Sequence, residues 1–383
     1  MSISKYEASD RTYLFQILEG PTYNPDELTP ILDLLSRRFN GEVWSYGPNE
    51  ADIDVGTMHL KIVKDRYKHR FLNYLNFRRQ VIDRAKQLRG HGHPRIAVNS
   101  YDPFKTGLLA WQVSKLLGGA FICEVNGQYG DSDNFASVRF QIWKRIRLLQ
   151  MKLLGTFVIR QAHGLRLLFD KQLDNFTKVH SKTVVRIFFA LCFLERFFPA
   201  QEEPFILCVG FPFERKGVDL LASAFAKLCE KYPHWKLVLI GHRIPEKLRA
   251  YNLSHPNIET HPGMSQHEVA KWMSRCAIYA MPSRSEAMGR VFIEAAAAGK
   301  PRIGTRVGGI PTVIDDGEDG ITVQKENLEQ LIAALDRLMG NPTLRMRMGT
   351  RARKRALSEF SGERYLALFD ELISASLERV QDY

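Results

Sequence analysis

Cys276-Ala-Ile-Tyr-Ala-Met281-Pro-Ser-Arg-Ser-Glu286-Ala-Met-Gly289-Arg-Val-Phe-Ile-Glu294-Ala-Ala-Ala-Ala-Gly-Lys-Pro301-Arg-Ile-Gly-Thr305 carries a strand, a loop, a helix and a second strand in one passage. The apolar run Cys276–Met281 stops at a proline, the alanine-rich stretch beyond Gly289 has helical composition, and 301–305 is again short and apolar. A connection of that length is too long for a hairpin, so the two strands are parallel and joined by a right-handed crossover. The same grammar extends upstream, where Phe205–Gly210 and Lys236–Gly241 read as strands with amphipathic segments between them. Repeated β-α alternation of this kind makes a doubly wound sheet, which binds ligands at the carboxyl ends of its strands.

The first half follows the pattern less clearly. Strands are expected near Tyr13–Leu18, Glu42–Tyr46, Arg95–Asn99 and Ala120–Val125, and helices near Glu27–Arg38 and Lys105–Leu117. A chain of 383 residues exceeds one ordinary core. Phe198-Pro-Ala-Gln-Glu-Glu-Pro204 has linker composition, with two prolines among polar residues. The expectation is therefore an α/β protein of two doubly wound, Rossmann-like domains facing across a cleft. The first domain would span 1–200 and the second 201–365, with 366–383 a C-terminal helix returning to the first.

Hydrophobic residues at 45% and charged residues at 25% exclude a disordered, collagen-like or coiled chain. The five cysteines form no CxxC pair and no zinc-like cluster, which points to a reducing, cytoplasmic compartment. No secretory leader is evident, and the longest apolar run, Ile187–Leu194, falls far short of the roughly 20 residues that span a bilayer. The net charge of +12 is lopsided: residues 1–200 hold 29 Lys and Arg against 19 Asp and Glu, the remainder 25 against 23. Such asymmetry reads either as a surface for an anionic partner or as a basic solvated face. No nucleic-acid recognition module accompanies it.

The chemistry lies between Glu286 and Glu294. If the helix starts near Gly289, the amides of Met288, Gly289, Arg290 and Val291 sit at its positive end without intrahelical acceptors and form a phosphate cradle. Eight residues at about 1.5 Å rise span at most roughly 12 Å, so one carboxylate can stand on each side of a diphosphate bound there. Each carboxylate has two acceptor oxygens, which suits a vicinal diol.

With its neighbours this stretch resembles the E-x7-E motif of the family 4 retaining glycosyltransferases, whose fold is GT-B. The resemblance covers roughly residues 205–370. It includes Val209-Gly210 before Glu214-Arg215-Lys216-Gly217, then Leu239-Ile-Gly241, Met281-Pro-Ser283, Gly308-Gly-Ile-Pro311 and Asp316-Gly-Glu-Asp-Gly320. It implies that Glu286 contacts the donor sugar, Glu294 holds the ribose and Lys216 neutralises the diphosphate. The family's usual arginine after the first glycine is replaced by Phe211, which leaves Arg215 as either a second diphosphate ligand or a solvated loop residue. The implied reaction is retaining, needs no metal and no other cofactor, and uses a nucleotide-sugar donor with a glycan or lipid-linked acceptor.

In the first half, Asn99-Ser-Tyr-Asp102 and Phe121-Ile-Cys-Glu124-Val-Asn126-Gly127 resemble the acceptor-side strand ends of that family, with Asn126 where many members have histidine. Gly20 follows the first strand, where the resemblance implies a glycine-rich loop near the diphosphate, and it reads equally well as a turn glycine. Two D-x-D triplets, Asp52-Ile-Asp54 and Asp131-Ser-Asp133, end no convincing apolar strand and read as chance rather than as a metal site. Residues 137–152 carry five basic and no acidic residues, with Phe140, Trp143, Ile146 and Leu149 at three-residue steps. They read as a basic amphipathic helix, resting either on anionic lipid or on the domain core. Two competing readings remain open: a non-catalytic relative of the transferases, and a nucleotide-sugar epimerase or glycan phosphorylase of the same fold.

Overall fold

Six strands of the second half build one wholly parallel sheet. They are β9 (Glu203–Val209), β10 (Lys236–Ile240), β11 (Ile258–His261), β12 (Cys276–Met281), β13 (Arg302–Thr305) and β14 (Gly320–Val323). Their spatial order is β11-β10-β9-β12-β13-β14. The winding runs outward from β9 through β10 to β11, then returns to the other side of β9 with β12. The switch point therefore lies between the carboxyl ends of β9 and β12, where open α/β sheets hold ligands. Val, Ile, Leu and Ala fill these strands because both faces are covered: all six residues of β12 are buried.

These observations come from a computed structural model that describes residues 11–18, 20, 25–90, 95–129, 141–174, 176 and 179–380. The chain divides into two compact units. Unit 1 comprises Met1–Gly130, Ile142–Phe188 and Tyr365–Tyr383; unit 2 comprises Asp131–Gln141 and Phe189–Arg364.

Unit 1 holds an eight-stranded sheet of β1 (Tyr13–Ile17), β2 (Asn40–Gly47), β3 (Ala51–Val55), β4 (Met58–Lys64), β5 (Ile96–Ser100), β6 (Ala120–Glu124), β7 (Gly164–Leu167) and β8 (Val184–Ile187). The order is β3-β4-β2-β1-β5-β6-β7-β8, and only the β3/β4 pair is antiparallel. The helices Arg70–Arg89, Lys105–Leu117 and Gln141–Arg160 share one apolar core with β1, β5, β6 and β7.

The boundary differs from the linker expected at 198–204. β9 already starts at Glu203, and the stretch before it is fastened to unit 2. Phe189 meets Phe360 edge to face, Arg353 Nη1 donates to the Phe197 carbonyl at 3.2 Å, and the Ala200 amide donates to Ser274 O at 3.1 Å. Polar, proline-bearing composition marks a place where no long element runs; here that place is an irregular strap with fixed partners. The last helix, Gly362–Leu377, supplies Tyr365, stacked on Phe369, and Phe369, edge-on to Phe39, to the core of unit 1.

Candidate active site at the switch point

Two loops leave the switch point, 210–217 after β9 and 282–289 after β12, and they touch. Gly217 takes a left-handed φ of +67°, and a Cβ there would stand 2.1 Å from the Pro282 carbonyl oxygen, so only glycine lets the loops meet. Arg284 then braces them. Its guanidinium donates to both carboxylate oxygens of Asp219 at 2.7 Å, to Glu326 and to the Glu214 carbonyl, while its amide donates to Arg215 O at 2.8 Å. These partners hold its pKa well above the ordinary arginine range, Asp219 contributing most.

On this frame Lys216 and Glu286 come together. Lys216 is 7% exposed, and its ammonium donates to Glu286 Oε2. Beside them Gly289, with φ of +77°, caps the helix Arg290–Ala297, and the Phe292 amide closes on the Gly289 carbonyl at 2.9 Å. A Cβ at Gly289 would stand 2.6 Å from the Phe292 ring. The amides ahead of Phe292 precede the first bond of this helix, where the dipole favours negative charge. Met288 is buried, whereas Arg290 is exposed and folds back onto Glu294. The hydroxyls of Ser283 and Ser285 are buried in the same loop with no hydrogen-bond partner among the described residues.

Glu294 lies one side of that turn at 5% exposure. Its Oε1 accepts from Gln266 Nε2 at 3.0 Å and pairs with Arg290 Nε at 3.2 Å. Burial pushes its carboxyl above the ordinary glutamate range, and Arg290 and Gln266 offset part of that rise. Gln266 lies in the helix Gln266–Arg275, started by a capping box of Ser265 and Glu268. The sequence reading passed over Gln266 and Arg284. Arg284 stands just ahead of Glu286, but its partners lie far away in sequence, on 214–219 and at Glu326.

Arg215 does not join the Lys216–Glu286 pair among the contacts of the described residues; its Nη2 donates to the Phe211 carbonyl at 3.4 Å. The Phe211 ring is 54% exposed and stands edge-on to His242 at 6.0 Å.

Asn126 belongs to unit 1 and sits in a polar knot. The buried Arg166 donates to Glu124 Oε2 and to Asn126 Oδ1, and Asn99 Nδ2 donates to Glu124 Oε1 at 2.6 Å. The Asn126 amide nitrogen donates to Tyr101 O at 2.8 Å and to Glu124 Oε2 at 3.3 Å. Both amide hydrogens are engaged, and Asn126 orients the strand ends around it. Gly20 also has a packing reason, since a Cβ there would stand 2.2 Å from the Tyr46 carbonyl oxygen. Asp52 and Asp54 lie on β3, paired with Lys61 at 2.6 Å and His59 at 2.9 Å. Asp131, Asp133, His91 and His93 lie outside the described residues. Among the described residues no three His, Cys, Asp or Glu side chains gather as a metal set.

Residues 194–355 match the family model described as glycosyl transferases group 1. Over 164 residues the chain is 35% identical to an uncharacterized glycosyltransferase of Methanocaldococcus jannaschii, covering 42% of this chain and 45% of that protein. It is 39% identical over 156 residues to a D-inositol 3-phosphate glycosyltransferase of Streptomyces griseus, covering 37% of this chain and 33% of that one. The chain thus spans less than half the length of these curated relatives. Among solved structures, sucrose-phosphate synthase from Thermosynechococcus elongatus superposes with a TM-score of 0.74 at 19% identity, covering 94% of this chain and 98% of that one. That likeness extends over both units and shows the fold, which is GT-B. The match to the glycosyl transferases group 1 family thus rests on residues 194–355, which contain the switch-point loops, both glutamates and Lys216.

Proposed function

We propose that this chain transfers a hexose-type sugar from a UDP- or GDP-linked donor to a glycan or lipid-linked acceptor, in polysaccharide or glycolipid synthesis, with retention at the anomeric carbon and without a metal ion. The observation that carries the reading is the grouping of a buried ammonium, a glycine-capped helix start and two carboxylates at the switch point of a parallel sheet. The diphosphate takes the helix start and Lys216, Glu294 accepts from the ribose hydroxyls, and Glu286 accepts from the sugar. The bond from the anomeric carbon to the diphosphate breaks, the acceptor oxygen bonds that carbon on the same face, and the acceptor proton passes to the leaving diphosphate. Negative charge grows on the leaving group, so a cation already held by Glu286 stabilises the transition state without reorganising. The relatives' names support sugar transfer as the class of reaction.

Incubation of the purified chain with UDP- and GDP-sugars, with and without candidate acceptors, tests the proposal through nucleotide release. Lys216→Ala is expected to lower kcat/KM by roughly 10²- to 10³-fold. Chelator should leave the rate unchanged, and the product's anomeric configuration should equal the donor's. A non-catalytic reading is favoured by Phe211, which supplies no charge, and by the engaged amide of Asn126. It prevails if no nucleotide sugar binds or turns over.

A further inference from the structure

The helix Gln141–Arg160 is apolar on two opposite sides. Toward the sheet, Val158 and Ile159 are fully buried, and Gly155 sits so close to Phe176 that a Cβ would stand 2.5 Å from its ring. On the other side Ile142, Ile146, Leu149, Leu153 and Phe157 are 61%, 36%, 57%, 64% and 43% exposed. Their spacings of four, three, four and four residues place all five within a stripe about 80° wide at 100° per residue. A helix that only covers its own core shows a polar outer face, and single exposed apolar residues are ordinary. Five in one stripe mark an interaction surface.

The charge around this stripe has one sign. Residues 141–160 contain no Asp or Glu, and Arg145, Arg147, Lys152 and Arg160 are exposed. A second patch of the same character opens the helix Arg70–Arg89, where Phe71, Leu72 and Leu75 are exposed beside Arg66, Lys68 and Arg70. The two helices share one apolar core on the sheet, follow β4 and β6, and so begin at its carboxyl edge. The helix Lys105–Leu117 lies between them, with Trp111 edge-on to Phe157 at 5.3 Å.

We propose that this edge of unit 1 docks on an anionic lipid bilayer, the apolar stripe entering the headgroup boundary and the flanking cations meeting lipid phosphates. A second copy of the chain would bring cations against cations. A purely polar anion would leave the stripe uncovered. The proposal deepens the lipid-linked reading of the acceptor and rests on that reading only for its purpose, since docking needs no donor.

The test is co-sedimentation of the full chain, without nucleotide, with vesicles of phosphatidylcholine alone or phosphatidylcholine mixed with phosphatidylglycerol. Binding is expected to the anionic vesicles and to weaken with added salt. The pair Arg145→Ala and Lys152→Ala should weaken it roughly twentyfold. Leu149→Ser with Leu153→Ser should weaken it at least about tenfold. Both double variants change exposed side chains, so their thermal unfolding and their affinity for nucleotide sugar should match the parent. Equal binding to neutral and anionic vesicles overturns the proposal, as does indifference to both double variants. A dimer in sedimentation velocity that the leucine pair abolishes would assign the stripe to a second copy instead. Vesicle binding without any nucleotide binding would sink the transferase reading and leave the docking surface standing.

Discussion

The proposed ribose contact needs Glu294 as an anion where water hardly reaches, and this gives two pH dependences of opposite sign. Burial raises its carboxyl above the ordinary glutamate value of 4.5. Between 4.5 and that raised value the folded chain binds more protons than the unfolded chain, so stability of the free protein declines as pH rises through the window. On the proposed contact, ribose hydroxyls donate to the ionised form, so donor affinity is expected to climb through the same window. Glu294→Gln should flatten both trends: melting temperatures compared at pH 5 and pH 8 would converge, and calorimetry with an intact nucleotide sugar would lose its pH slope. An intact nucleotide sugar is the right ligand because its diphosphate carries no terminal phosphate that titrates near pH 6. If the Gln variant keeps the parent's slope, Glu294 does not meet the donor.

At the scale of elements, the turn 315–320 shows how a motif residue can be structural. Asp319 is fully buried, accepts from the Asp315 amide at 2.8 Å, and pairs with Arg302 of β13 and with Arg355 at 3.3 Å. The Arg302 guanidinium also donates to Val313 O at 2.9 Å. Asp319→Ala leaves the buried Arg302 guanidinium without its carboxylate, while Arg355 keeps Glu359 at 2.9 Å, and is expected to cost about 3–5 kcal/mol, read from the urea midpoint of unit 2. Glu318→Ala, at an exposed pair with Arg351, should stay within about 0.5 kcal/mol. From sequence, Asp316-Gly-Glu-Asp-Gly320 counted toward the family resemblance without revealing this anchor, because its partners lie on β13 and on the helix Pro342–Glu359. What was legible were strands buried on both faces, such as β10 and β12, since continuous apolar runs announce themselves. The β3/β4 pair was passed over because Asp52, Ile53 and Asp54 of β3 face outward and give no hydrophobic pattern. The helix at 141–160 was legible as basic and amphipathic, but not which side faces the core: Ile146 and Leu149 lie on the outer stripe, and Val158 and Ile159, beyond the stretch read, carry the packing.

For the whole molecule, the assignment of the last helix decides what each half can do alone. Unit 1 draws its core from the first half of the chain and also from residues 365–383. Tyr365, Leu366, Phe369, Leu372 and Ile373 are all buried, and a Cβ on Gly164 of β7 would stand 2.1 Å from Ser376 Oγ. Burial of side chains of this size contributes about 1.5–3 kcal/mol each, so five together rival the roughly 5–15 kcal/mol by which a domain is stable. A chain ending at Arg364 should therefore lose unit 1 and keep unit 2, whose own core contains both glutamates and Lys216. Hydrogen exchange would show residues 95–129 stripped of protection while 203–240 stay protected. Nucleotide-sugar binding by calorimetry would survive, and transfer to an acceptor would not. Loss of protection in both halves together would mean that unit 2 depends on the final helix as much as unit 1 does. In that case Glu294 and Lys216 would be held in place by the last nineteen residues as well as by the sheet beneath them.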